Sequence, residues 1–244
     1  MIQEFDLLDG ALLIDKPAGP TSHDVVEEVR RHFRIKKVGH CGTLDPNATG
    51  LLILVLGRAT KLSDRIMSED KVYEGSAKFG ETTDSHDAEG ELVDSLPVPP
   101  LTLEELNEAT QSYVGDHLQT PPMVSAIKQG GVPLYKLARK GIEVERKPRL
   151  VHIYTFRFSA YTEPVGFFRV ACTKGTYVRT LVHELGQKVG CGAHLATLRR
   201  LISGRFDVAN SITFEDVLKL SRKELESRII PVFKLALQEG PEDR

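Results

Sequence analysis

Gly39-His40-Cys41-Gly42-Thr43-Leu44-Asp45-Pro46-Asn47-Ala48-Thr49-Gly50-Leu51-Leu52 is the stretch on which the reading turns. Its glycines permit unusual backbone angles or a close approach by a ligand. Its aspartate precedes a proline, which keeps the backbone at Asp45 extended. The stretch runs into the apolar sequence Leu-Leu-Ile-Leu-Val-Leu at residues 51–56. That run is far shorter than the roughly 20 residues of a membrane span. A buried central strand and the first turns of a buried helix both fit it.

On the N-terminal side, residues 11–15 read as a short strand, broken by Lys16-Pro17-Ala18-Gly19-Pro20. Thr21 or Ser22 can cap a helix to about Phe33. Its apolar stripe is Val25, Val26, Val29 and Phe33, and its solvated face and exit carry Arg30, Arg31, His32, Arg34, Lys36 and Lys37.

On the other side, Thr60 to Met67 reads as a short helix. From Lys71 to Phe79 the pattern alternates, with Tyr73, Gly75, Ala77 and Phe79 sharing one face of a half-buried strand. The acidic stretch 81–94 is a loop or a hairpin around Gly90. Thr102-x-x-Glu105 is a capping box ahead of a helix carrying Leu103, Leu106, Ala109 and Tyr113 on one side. Residues 119–148 form an insert with little core of its own. Within it, residues 136–149 hold six Lys or Arg and two Glu. A flap over a polyanion and a solvated surface loop both fit that surplus.

Alternation over 150–161 predicts a strand that buries Leu150, Tyr154, Phe156, Phe158 and Ala160. Residues 167–172 supply its antiparallel partner, joined near Glu163-Pro164. A helix from about Thr176 buries Val178, Leu181, Val182, Leu185 and Val189 and stops at Gly190. Arg199, Arg200 and Arg205 make a second basic cluster. Thr213-x-x-Asp216 and Ser221-x-x-Glu224 each begin a short helix, and residues 238–244 read as a frayed end. Helices between strands, together with antiparallel signals, predict one mixed α/β domain with a basic insertion.

The chain has 244 residues, 41% hydrophobic and 27% charged, as expected of a soluble globular protein. No basic start with a long apolar stretch marks a secretory signal, so the sequence reading is cytoplasmic. The three cysteines, Cys41, Cys172 and Cys191, form no CxxC pair. The formal net charge of -2 gives no sign of a nucleic-acid partner, but it conceals the uneven basic clusters. No set of His, Cys and carboxylate residues has the spacing of a metal site. No GxxxxGK[ST] loop or GxSxG elbow occurs. Taken alone, a His and an Asp in a glycine-rich turn fit a structural role as readily as a catalytic one.

The full string from Gly39 to Leu52, however, resembles the catalytic motif of the TruB family, the synthases that make pseudouridine at position 55 of tRNA. The resemblance extends in order along the chain. Leu13 to Ser22 looks like that family's opening motif, and Lys71-Val72-Tyr73-Glu74 like its active-site tyrosine segment. Pro122 to Lys128 and Tyr135 to Arg139 match its insert, and Cys172 to Leu181 its late catalytic motif.

The resemblance implies a pseudouridine synthase fold, with a largely antiparallel mixed sheet flanked by helices and a thumb-like insertion at 119–149. It implies a catalytic domain over 1–232, then a short tail, 233–244, too brief for a C-terminal RNA-binding domain of the PUA type. It implies isomerisation of uridine in the tRNA T arm, without cofactor, metal or obligate protein partner. No long apolar patch or heptad run argues for assembly, so a monomer is the default expectation.

It also assigns roles. Asp45 is the catalytic carboxylate, Tyr73 the active-site tyrosine and Arg179 the arginine that pairs the aspartate. Tyr177, His40, Lys16, Lys71 and Leu198 bind substrate, His40 beside the displaced base. Arg30, Arg31, Lys36, Lys37, Lys136, Arg139, Lys140, Arg146, Lys147 and Arg149 are the residues expected along the RNA backbone. Two other readings remain: a guide-RNA-dependent synthase component, and a non-catalytic tRNA-binding or folding module.

Overall fold

A computed structural model describes residues 7–125, 127–138, 141–142 and 144–236. The predicted insert residues Arg139 and Lys140, and the predicted frayed end 238–244, lie outside the described residues. The chain divides into two compact units. One comprises residues 1–69 and 200–244, the other residues 70–199.

The first unit opens with β1 (Gly10–Lys16) and α1 (Ser22–His32). Thr21 caps α1 reciprocally with Asp24, and Arg30, Arg31 and His32 occupy its last turn, where the helix dipole favours cations. Next come β2 (Val38–His40) and β3 (Thr49–Leu56). The apolar run is therefore a strand, buried on both faces from Gly50 to Leu56. A 3-10 turn (Gly57–Leu62) leads into α2 (Ser63–Met67). β1 and β3 pair antiparallel from Gly10↔Leu56 to Lys16↔Gly50.

The second unit begins with β4 (Lys71–Phe79) and the hairpin β5 (Glu81–Thr83) and β6 (Leu92–Ser95). It continues through α3 (Leu103–Gln111), β7 (Gly115–Gln119), the two-residue strands β8 (Lys128–Gln129) and β9 (Val132–Pro133), and α4 (Leu134–Ala138). Then follow β10 (Arg149–Thr162), β11 (Val165–Cys172) and α5 (Val178–Val189), which ends at Gly190 with φ 93°. Strands β4, β11, β10 and β7 lie side by side in that order, each neighbour antiparallel. The core here is aromatic: Phe156, Phe158 and Phe168 meet at 5.5–5.8 Å between ring centroids, and Phe79 joins Phe158 at 6.1 Å.

β12 (Ala193–Ser203) begins in the second unit and ends in the first, which continues with β13 (Phe206–Asp207) and β14 (Ile212–Thr213). The remaining helices are α6 (Phe214–Val217), α7 (Arg222–Arg228) and, after β15 (Ile230–Pro231), α8 (Val232–Ala236). Thr213 and Ser221 cap α6 and α7. β14 joins β1 in parallel and β15 joins it antiparallel, so this sheet is mixed. The core of the first unit gathers Ala11, Leu13, Cys41, Leu51, Ile53, Val55, Ala59, Ile66, Phe206 and Leu235. Burying each Leu, Ile or Val of that set contributes about 1.5–3 kcal/mol.

Three expectations need correction. Leu150 and Tyr154 are 66% and 46% exposed, while Val151 and Ile153 are buried. Ile153 sits opposite Cys172 and Thr155 opposite Ala171, so Tyr154 is an extra residue that reverses the parity of β10. A second irregularity between Phe158 and Ala160 reverses it again and leaves Ala160 exposed. Finally, Arg200 is 1% exposed and does not belong to a surface basic cluster.

Candidate active site

The predicted site residues fall on both units, Lys16, His40 and Asp45 on the first and Lys71, Tyr73, Tyr177, Arg179 and Leu198 on the second.

On the first unit, the loop from Cys41 to Ala48 is fixed on each side of Asp45. Before it, the buried Ser22 hydroxyl accepts from the Leu44 amide at 2.9 Å and donates to the Leu44 carbonyl at 3.0 Å. After it, the Pro46 carbonyl accepts from the Gly19 amide at 3.0 Å and from the Lys16 ammonium at 2.8 Å. The Ala48 amide closes the turn on the Asp45 carbonyl at 3.0 Å. The Asp45 residue itself is partly exposed. Lys16, expected to touch substrate, is instead wholly buried, and its ammonium also donates to the Pro17 carbonyl at 2.8 Å. A cation so enclosed acts on the loop, because its donors are turned onto backbone carbonyls.

Beneath the same loop lies Arg200. Its Nε donates to the Leu51 carbonyl at 2.8 Å and its Nη2 to the Gly42 carbonyl at 3.1 Å. Gly42 and Gly50 both have φ 96°, where L side chains are strained, and each approaches Arg200 closely. These contacts match the buried guanidinium to one backbone carbonyl of the loop and one of β3.

His40 is partly buried, and burial first, then the Arg200 charge, hold its pKa below the ordinary imidazole value. An open cavity of about 540 Å³ has His40 in its wall, together with Arg30, Lys36, Lys37, Thr60 and Ser63. Three of the predicted RNA-backbone cations are thus gathered with His40. Arg31 is absent from that lining and pairs with Glu28 at 2.6 Å.

On the second unit, β4 turns Lys71 and Tyr73 inward, 6% and 9% exposed, opposite Cys172 and Val170 of β11. Tyr177 precedes α5, and its backbone is clamped by Gln119, which accepts from the amide at 2.7 Å and donates to the carbonyl at 3.1 Å. Arg179, in the first turn of α5, is 4% exposed. Its Nη1 donates to Asp87 Oδ2 at 3.2 Å, its Nη2 to the Val124 carbonyl at 2.7 Å, and its guanidinium lies 5.9 Å from the Tyr177 ring centre. Leu198 is half-buried on β12.

Asp87 carries no mark in the sequence reading. Its Oδ1 also accepts from Ser85 Oγ at 2.6 Å and from the Glu89 amide at 3.1 Å. Asp84 and Ser85 precede it and Gly90 follows, and such a turn-forming cluster is the only signal that could have marked it. In the insert, Arg146, Lys147 and Arg149 line an open cavity of about 270 Å³, while Lys136 is exposed elsewhere on α4. Among the described residues, no three His, Cys, Asp or Glu side chains are grouped to hold a metal.

Comparison with known proteins gives the family. The pattern described as "TruB family pseudouridylate synthase (N terminal domain)" matches residues 30–178, and that described as "tRNA pseudouridylate synthase B C-terminal domain" matches residues 179–235. The chain belongs to the TruB family of pseudouridylate synthases. It is 52% identical to the tRNA pseudouridine synthase B of Opitutus terrae over 236 residues, 97% of this chain and 98% of that protein. It is 46% identical to the protein of the same name from Syntrophotalea carbinolica, over 96% of this chain and 76% of that one. Among solved structures it resembles a chain of a Cbf5–Nop10–Gar1 complex, with a TM-score of 0.74 and 26% identity, over 93% of this chain and 61% of that chain.

Proposed function

We propose that this enzyme isomerises uridine to pseudouridine at position 55 in the T arm of tRNA, with Asp45 as the catalytic carboxylate. The observation that carries the reading is the fixing of Asp45 between two anchored neighbours, Leu44 held by Ser22 and Pro46 held by Lys16. A reacting group gains most when its position is set before substrate arrives. Relatives named tRNA pseudouridine synthase B, matched over nearly the whole chain, support the substrate class.

The reaction breaks the N1–C1' bond, turns the uracil and joins C5 to C1'. The C5 proton leaves and N1 gains one, so no atom or electron is exchanged with a cofactor. Asp45 serves as nucleophile at C1' or C6, or as base at C2'. Every route needs its anion, and Arg179 supplies the opposing charge that favours it. Tyr73 stacks on the detached uracil and places its hydroxyl for the C5 proton. Tyr177, Lys71 and Leu198 bound the base, and His40 fills the space vacated as the base leaves its stack. Lys16 acts through the loop that carries Asp45.

The catalytic domain spans residues 1–232, with the insertion 119–149 as an RNA clamp. Arg30, Arg31, Lys36, Lys37, Lys136, Arg139, Lys140, Arg146, Lys147 and Arg149 meet phosphates, which position the RNA without reading its sequence. The enzyme works as a cytoplasmic monomer; no helix among the described residues is long and apolar enough to cross a membrane.

The test is reaction with an unmodified tRNA transcript and with a bare T-arm hairpin, followed by base-resolution mapping of pseudouridine. One new pseudouridine at position 55 in both is the expected result. Modification elsewhere, or only when a guide RNA is added, overturns the proposal.

A further inference from the structure

His86 and His183 form a face-to-face pair on the second unit that the roles above leave unused. Their ring centroids are 3.7 Å apart and their planes 3° from parallel. His183 lies four residues after Arg179 on α5, so the two side chains leave the same face of the helix one turn apart. His86 immediately precedes Asp87, whose carboxylate receives Arg179. Two consecutive loop residues therefore engage two helix residues spaced by one turn, one contact ionic and the other a ring stack.

The loop is built for that double contact. His86 has φ 66°, a backbone conformation uncommon for a residue with a side chain. Its carbonyl accepts from the Leu195 amide at 2.9 Å, its amide donates to the Thr83 carbonyl at 3.2 Å, and the Ala88 amide donates to the Leu195 carbonyl at 3.0 Å. This conformation sends the His86 ring and the Asp87 carboxylate to the same helix. The hydrogen bonds at the guanidinium tip, to Asp87 and to the Val124 carbonyl, do not by themselves set the angle of the loop against α5; the ring stack one turn along fixes that angle as well.

We propose that His86 and His183 are positioning residues for Arg179: their stack locks the loop to α5 and so sets the direction in which the guanidinium points. The inference rests on the reading of Arg179 as a group of the pseudouridine reaction. The groups facing His86 are His183, Arg179, Asp87 and Arg146, and His183 Nε2 also lies 3.0 Å from Gln187 Nε2. Burial is the chief cause that holds both imidazoles below their ordinary pKa. They are therefore neutral at neutral pH, which lets the rings stack without charge repulsion.

The test is single-turnover pseudouridine formation and tRNA affinity for three variants beside wild type. His183→Ala removes the stack from a helix that alanine suits. His183→Phe keeps a flat ring there. His86→Gly removes the ring where the backbone favours glycine, guarding against a misfolded first variant. A small misplacement of a catalytic partner lowers a rate by about ten- to a hundredfold. That loss is expected for His183→Ala and His86→Gly, with tRNA affinity within about twofold of wild type and substantial recovery in His183→Phe.

Full turnover in His183→Ala and His86→Gly overturns the proposal, as does a loss that His183→Phe fails to recover. Equal loss of affinity and rate also overturns it, assigning the pair to general folding. A wild-type protein that makes no pseudouridine would instead fail the underlying reading, so the two failures are distinct.

Discussion

Lys16 and Pro46, thirty residues apart in the chain, are joined by a 2.8 Å hydrogen bond from the lysine ammonium to the proline carbonyl. The bond ties the end of β1 to the residue that follows Asp45. Lys16→Met keeps the stem and removes the charge, leaving the Pro17 and Pro46 carbonyls without this donor. Pro17 is exposed and Pro46 half-buried, so the loss falls mainly at Pro46, towards the low end of the about 1–3 kcal/mol that a fully buried orphaned group costs. The expected outcome is a lower urea midpoint and a lower turnover together. Unchanged values of both would remove Lys16 from the support of the loop.

Gly50 lies against the Arg200 backbone with φ 96°. A methyl group there meets both a disfavoured conformation and the Arg200 carbonyl. Gly50→Ala is expected to destabilise the fold by more than about 2 kcal/mol, read as a drop in Tm. Gly19, also at positive φ (109°), has no atom within 4 Å of an added methyl, so Gly19→Ala is expected to cost less. Equal effects of the two would contradict the packing described for Arg200.

Much of this arrangement is legible in the sequence because the signals are local. The Thr21 cap, the Thr102 capping box and the Gly190 stop depend on residues within one helical turn, and all three stand as the sequence predicts. The inward parity of Tyr73 likewise follows from a strand without irregularity. Tyr154 shows the limit. Its bulge exists only because β11 offers one residue where β10 offers two, and a pattern read along one strand cannot register its partner. Arg200 escapes the sequence for a related reason: arginine reads as surface until the carbonyls of Leu51 and Gly42 are seen to enclose it. Asp87 gives no periodic signal, since its contact with Arg179 joins residues 92 positions apart.

Acid should weaken the fold through its buried histidines. His40 and His183 are held below the ordinary value of 6.5, and His86 is pushed down to about 4, chiefly by burial. The unfolded chain then binds protons that the folded chain refuses. This contribution is complete above pH 6.5 and is lost as pH falls towards 4, over which range His86 titrates only when unfolded. Each such group contributes a slope of at most about 1.4 kcal/mol per pH unit. Urea unfolding across this range is expected to show declining stability, with a smaller decline when His86 and His183 are both replaced by Phe. A flat profile in wild type would contradict their burial as neutral rings.

RNA affinity should fall with salt, because phosphate contacts release counterions. Replacing Lys36, Lys37, Lys147 or Arg149 with Ala is expected to reduce the slope of log affinity against log salt by about 1 for each phosphate no longer neutralised. Turnover of saturated enzyme should hardly change. A variant whose slope matches wild type makes no phosphate contact at that position, and four such variants would remove the proposed backbone track.

The most direct measurement compares Asp45→Asn with wild type on one unmodified tRNA, reading both binding and pseudouridine formation. Asparagine keeps the side chain's size but gives up the anion. Tight binding should persist while the rate falls by about 100- to 10,000-fold. A variant that still modifies the RNA at close to the normal rate would contradict the assignment of the chemistry to the Asp45 carboxylate.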